Sequence, residues 1–334
     1  MSCTVFEVII LSATIIYFVY EVAKGSFEGG IKSAINFCVN IVNTLAALRF
    51  TLPITEKFFY DKISNIVTGL IAKADERVST IFLTEEFNTL LTSIMFSILS
   101  TFVFVGIFWI LRVMTAILLE ILYRAIPVLN SEKLNNLPNK IIGGVVGLIS
   151  AGIFGAISIM PINNIMEVKK ISLGGELIED KYSIILDIHS PRVNKFYELI
   201  HTKAIGDRLF DEITKTTLNN REYTISEFTD ELVLLNEEIQ RISDIVNKEK
   251  INPVEVLNEI DKLADVFTQI TVVSEEYKVN CINGTLNYIL HNNKLSFLFK
   301  KTEFSYKSVE EFKEDLEILI KAVNTIDSIF NKLA

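Results

Sequence analysis

Residues 137–160, LPNKIIGGVVGLISAGIFGAISIM, constrain this chain more than any other stretch. After Lys140 the run carries no charge for about 20 residues, enough apolar helix to cross a bilayer. A core helix of a soluble protein would show a polar stripe, whereas this one shows only small residues. Gly143, Gly147, Ser150, Gly155 and Ser158 recur at near-helical spacing and make a groove in which a second helix can approach closely. Pro161 stands just past the stretch and is expected to end it.

Three earlier segments have the same character. Residues 5–23 read as a first span, with Glu7 near one end and Tyr17 and Tyr20 as interfacial aromatics at the other. Residues 24–30, KGSFEGG, read as a tight turn. Residues 31–48 read as a second span with a polar face, Ser33, Asn36, Asn40 and Asn43, in steps of three and four. Amides cannot be left unsatisfied in lipid, so this face either holds another helix or lines a polar path. Residues 53–74 read as a separate helix lying in the interface plane, with Phe59, Ile63, Ile66, Leu70 and Ala74 on its apolar side.

The third span starts near Phe87 and carries Thr89, Ser93, Ser97 and Thr101 on one face, with Trp109 and Arg112 marking its far end. Its apolar pattern continues to Leu129, longer than a bilayer is thick, so the second part must leave the bilayer or run along its surface. Four spans would put both termini on one side. Basic residues divide about evenly between the two sides, so charge sets no orientation.

Charge separates the two halves. Residues 1–164 hold 11 basic and 11 acidic side chains; the rest hold 21 and 30, so the whole net charge of −9 lies in the second half. The reading is an all-α chain in two domains: a four-span transmembrane domain over 1–162 and a soluble antiparallel helical bundle over 163–334. Three heptad runs support the bundle: 225–246, 260–281 and 309–333. Thr224 with Glu227 and Ser308 with Glu311 have capping-box spacing, and Asn252-Pro253 reads as a helix start. A further helix is expected over 192–218, broken near Gly206, and a brief strand is possible over 183–186.

The first half resembles the colicin V production protein (CvpA) family of bacterial membrane proteins, over about residues 4–162. KGSFEGGIKSAINF is similar to the glycine-bearing turn of that family, with Gly25 and Gly29 matching. LPNKIIGGVVGLISAGIF is similar to its glycine-rich fourth span: Asn139, Gly143 and Gly147 match, and Lys140 stands where arginine is usual. Glu7 stands where many members have aspartate. The resemblance implies a four-span protein of the bacterial inner membrane, tied to bacteriocin production or envelope maintenance. By the same analogy the C-terminal domain would face outward.

No constellation for covalent chemistry is apparent, so the chain reads as a non-enzyme without catalytic, cofactor or metal residues. His189, His201 and His291 are dispersed, and no HExxH occurs. Asp187, His189 and Ser190 are adjacent letters with no nucleophile loop around them. Cys3, Cys38 and Cys281 are too scattered for a metal site or a disulfide framework. The acidic second half argues against nucleic acid. The expected partners are the lipid bilayer and a protein partner or a second copy of the chain. The alternative is a transport component, with a polar path between spans two and three.

Overall fold

The computed structural model describes residues 5–71, 85–126, 136–173, 206–218, 220–246, 248, 252–292 and 303–333. The expected strand at 183–186, Gly174-Gly175, Asp187, His189, Ser190, His201, Cys3 and the side chain of Glu7 lie outside this description. The described residues form nine helices and one two-stranded hairpin. They divide between two compact units. One draws on Met1–Tyr60, Met95–Glu167 and Leu177–Lys215; the other draws on Asp61–Ile94, Val168–Glu176 and Thr216–Ala334.

The first four helices are α1 (Val5–Glu28), α2 (Gly30–Ile71), α3 (Glu85–Ala125) and α4 (Leu137–Leu173). Three stretches are long and apolar enough to cross a membrane: Gly30–Gly69, Glu85–Ala125 and Leu137–Ile162. The expected first span, residues 5–23, falls in α1, and among the described residues it is not one of the three.

Three boundaries differ from the sequence reading. The turn expected over 24–30 is a single residue, because α1 runs on to Glu28 and only Gly29 leaves the helix, at φ +80°. The expected interfacial helix is not separate, since α2 continues through Pro53. Thr51 Oγ1 donates to the Ala47 carbonyl at 2.7 Å and Thr55 Oγ1 to the Thr51 carbonyl at 2.9 Å, so hydroxyls partner the backbone on both sides of the proline. Its buried apolar residues are Ile63 and Val67, while Ile66 is exposed. Nor does Pro161 end α4, which carries it inside and continues to Leu173.

The surface of these helices is inverted. Ile41, Val42, Leu45, Ile110, Val113, Ile117, Ile141, Val145 and Leu148 stand exposed, while Asn40, Asn43, Thr51, Thr55, Ser97, Ser100 and Asn164 are buried. At mid-length the first unit closes on an apolar core of Ala47, Phe104, Phe108, Phe154, Ile157 and Met160. Ile213 joins it from α5 (Gly206–Thr214), with Leu209 and Phe210 packed alongside.

Residues 192–205 of the helix expected over 192–218 lie outside the described residues, and α5 ends earlier than that pattern suggested. Thr216–Leu218 is strand β1, paired antiparallel with β2 (Arg221–Tyr223), so the segment expected to be helical through Leu218 ends in a hairpin. β-branched Thr216 and Thr217 favour a strand, and Asn220 takes φ 63° in the two-residue loop.

The remaining helices are α6 (Ile225–Val246), α7 (Pro253–Gln269), α8 (Glu275–Asn292) and α9 (Val309–Leu333). Helix α7 packs against α6, α8 and α9. The first heptad run lies on one helix, with Ile225, Phe228, Leu232, Leu235, Ile239 and Ile242 all buried. Both halves of its capping box form: Thr224 N donates to Glu227 Oε2 at 3.0 Å, and Glu227 N to Thr224 Oγ1 at 3.3 Å. The second run is one apolar seam on two helices, because α7 stops at Gln269 and α8 starts at Glu275. Carboxylates hold that break open. Glu231 accepts from Thr271 N at 2.6 Å and Val272 N at 2.9 Å, and Glu86 accepts from Ser274 N and Oγ at 2.5 and 2.6 Å.

Candidate functional site

The glycines of the opening stretch lie where two helices nearly touch. A Cβ on Gly25 would overlap the Gly143 carbonyl and come within 3.2 Å of the Gly147 Cα. One on Gly143 would strike the backbone of Gly25 and Gly29, and one on Gly147 would sit 3.1 Å from the Val22 Cα. Backbones this close exclude every side chain larger than hydrogen. Asn139 locks the crossing: its Oδ1 accepts from Gly30 N at 2.9 Å, filling one of the orphan donors at the start of α2. Gly155 is looser, with a Cβ position 3.5 Å from Phe18. Ser150 is buried against the cleft described next.

All four long helices line that cleft, whose interior volume is about 20 Å³, room for about one water molecule. Helix α1 gives Glu21, Lys24, Gly25 and Glu28; α2 gives Ser33, Asn36 and Asn40; α3 gives Arg112; α4 gives Gly147 and Ser150. Its centre is an ion pair between Glu21 and Arg112, whose side chains are only 8% and 10% exposed. Arg112 Nη1 also donates to Tyr17 Oη at 2.6 Å, and the guanidinium lies 4.9 Å from the Trp109 ring centre. The cation is thus surrounded by one carboxylate, one hydroxyl and aromatic faces.

Nearer the mouth a second chain of contacts runs across the helices. Lys24 Nζ lies 3.8 Å from Glu28, Asn36 Nδ2 donates to Glu28 at 2.7 Å, and Tyr123 Oη donates to Asn36 Oδ1 at 3.0 Å. Of the polar face read from the sequence, Ser33 donates to the Gly25 carbonyl at 3.1 Å and Asn43 to Thr115 Oγ1 at 2.8 Å. Ser33, Asn36 and Asn43 therefore hold helices together, while Asn40 faces the cleft. On the α3 face, Ser97 and Thr101 are buried, but Thr89 is exposed and Ser93 only half-buried, both bonded to carbonyls of their own helix.

Sequence reasoning took Arg112 as the end marker of a span and assigned Glu21 no role. Two opposite charges inside apolar helices were the available signal that they pair. It read Ser97 and Thr101 as part of a polar face but passed over Asn164, Ser100, Thr51 and Thr55, with which they form a second polar layer. Asn164 Nδ2 donates to Ser97 Oγ at 3.1 Å, and Ser100, Thr101, Thr51 and Thr55 are fully buried. Within this layer Ser100 Oγ and Asn164 Oδ1 have no hydrogen-bond partner among the described residues.

No family model matches the chain, and no curated protein and no solved structure matches it either.

Proposed function

We propose that this chain is a multi-pass membrane protein of the colicin V production type, anchored in lipid by its first four helices, with α5 packed on their core, and using α6–α9 as a water-exposed interaction module. The observation that carries the membrane reading is the inverted surface. Among the described residues, the only large apolar side chains left exposed beyond α4 are Leu234 and Ile318. A water-soluble unit would have to hide the apolar faces of α1–α4, and a bilayer accepts them. The resemblance gains a physical rationale, because Gly25, Gly29, Asn139, Gly143 and Gly147, which carry it, meet at one helix crossing.

On this reading the protein sits in the bacterial inner membrane, its C-terminal helices face outward, and its role lies in the envelope or in bacteriocin production. A photo-crosslinking side chain at Leu234 or Ile318 of the full chain, activated in intact cells, tests the interaction module. Adducts of discrete mass are expected from these positions. No adduct from either position, together with a single-chain species after extraction in mild detergent, would contradict it. A transport role is the second reading, favoured by the polar cleft.

A further inference from the structure

We propose that the first unit contains a closed passage for small monovalent cations: two hydrated polar chambers, one on each side of an aromatic collar. The proposal rests on the reading that α1–α4 lie in lipid.

Three layers follow one another along the helices. The cleft around Asn40, Arg112 and Ser150 is the first. The collar is the second, where Phe108 stacks on Phe154 at 5.6 Å and Phe104, Ile157 and Met160 complete the seal. The third is the buried polar set that includes Ser97, Ser100 and Asn164. Cross-helix contacts fix this order. Asn43 meets Thr115 above the collar, and Tyr60 meets Phe96 below it, with ring centres 6.3 Å apart. From Asn36 to Thr55 is about 28 Å along α2 at 1.5 Å per residue, close to the thickness of a hydrocarbon core. The polar layers therefore reach toward opposite interfaces, and the stretch between Asn43 and Thr51, about 12 Å by the same rise, is the barrier.

The unpaired oxygens indicate what the far chamber holds. Ser100 Oγ and Asn164 Oδ1 belong to fully buried residues and meet no donor among the described residues, which is costly unless water or an ion fills the site. Uncharged hydroxyl and amide oxygens are also the groups that replace the hydration shell of a monovalent cation. In the near chamber Glu21 balances Arg112 and Glu28 lies beside Lys24, so no excess positive charge repels a cation.

Silver ion, a monovalent cation that reacts with thiols, is the probe. The full chain is made with Cys3, Cys38 and Cys281 replaced by serine, and Ser150→Cys or Ser100→Cys is added singly. Right-side-out and inside-out membrane vesicles are exposed to Ag⁺, then denatured, and the remaining free thiol is labelled with a maleimide. The expected result is that Ser150→Cys is protected from labelling by Ag⁺ on one side only, and Ser100→Cys by Ag⁺ on the other side only. In a Phe154→Ala background, or Met160→Ala if that variant does not accumulate, Ser100→Cys becomes reachable from both sides.

Failure of Ag⁺ to reach Ser100→Cys from either side, or access to both cysteines from the same side, would overturn the passage. So would a collar variant that leaves access unchanged. Equal reaction of Ser100→Cys with an anionic methanethiosulfonate would overturn the preference for cations. A variant keeping only Cys38, which is exposed beside Ile41, Val42 and Leu45, separates this outcome from failure of the membrane reading. Rapid reaction of Cys38 with Ag⁺ would place that face in water and remove the bilayer itself.

Discussion

The Glu21–Arg112 pair concentrates the electrostatics of the first unit in two side chains. Neither charge reaches solvent freely, and each is the other's principal counter-ion. Removing one partner leaves a buried charge uncompensated, a loss of about 3–5 kcal/mol, whereas replacing both with apolar residues is far milder. Arg112→Met should therefore lower the thermal unfolding midpoint in detergent sharply, and Glu21→Met/Arg112→Met should recover most of it. Equal loss in the single and double variants would mean that the pair contributes only shape.

Glu238, on α6, gives a pH-dependent test. Desolvation holds its carboxyl above the ordinary range and neighbouring Glu259 adds to this, against the pull of Arg241 and Lys262. The folded state thus keeps the Glu238 proton more tightly than the unfolded chain. The favourable contribution is complete below the unfolded value of about 4.3 and is lost as pH rises through the folded value. Glu238→Gln should raise the unfolding midpoint near pH 7, with the gain shrinking toward pH 4. A pH-independent gain would assign the effect to packing.

At the level of the element, glycines of identical composition have opposite roles. Gly143 has backbone where a Cβ would go, whereas a Cβ on Gly152 or Gly106 would meet no neighbouring element within 4 Å among the described residues. Gly143→Ala should destabilise α4 against α1, while Gly152→Ala should stabilise by up to about 1 kcal/mol through helix propensity alone. Equal effects, measured by unfolding in detergent, would mean that the α1–α4 crossing is not tight.

This crossing was legible in the sequence, because small residues at helical spacing and a flanking asparagine have few other uses. The second heptad seam was legible as a buried stripe but not as two helices. Its break depends on Glu231 and Glu86, which lie 40 and 188 residues from the amides they hold. Two asparagines show the same limit. Asn283 exchanges hydrogen bonds with the backbone of Tyr306 at 2.9 Å, and Asn287 does so with Phe304 at 2.7 and 2.9 Å. Asn283 and Asn287 are one helical turn apart and receive an extended segment as a strand edge would, seating Phe304 and Tyr306 in the core. No local pattern announces a partner 17 or 23 residues away. The hairpin was missed for a different reason: an apolar rhythm continued through Thr216 and Leu218 while the backbone preference changed.

Over the whole molecule, hydropathy and charge pattern divide the sequence into an apolar first half and a charged second half, whereas the compact units cut across that line, with Asp61–Ile94 grouped with Thr216–Ala334. The sequence patterns failed at the prolines: each proline removes one backbone hydrogen bond from a helix, yet α2 carries Pro53 and α4 carries Pro161 inside, as packed membrane helices tolerate. The central claim is that the exposed apolar faces of α1–α4 rest in lipid. Extraction of membranes carrying the full chain with alkaline carbonate tests it most directly. The chain should stay in the membrane pellet and be released only by detergent. Recovery in the carbonate supernatant as a monodisperse species, stable in plain buffer, would contradict the account.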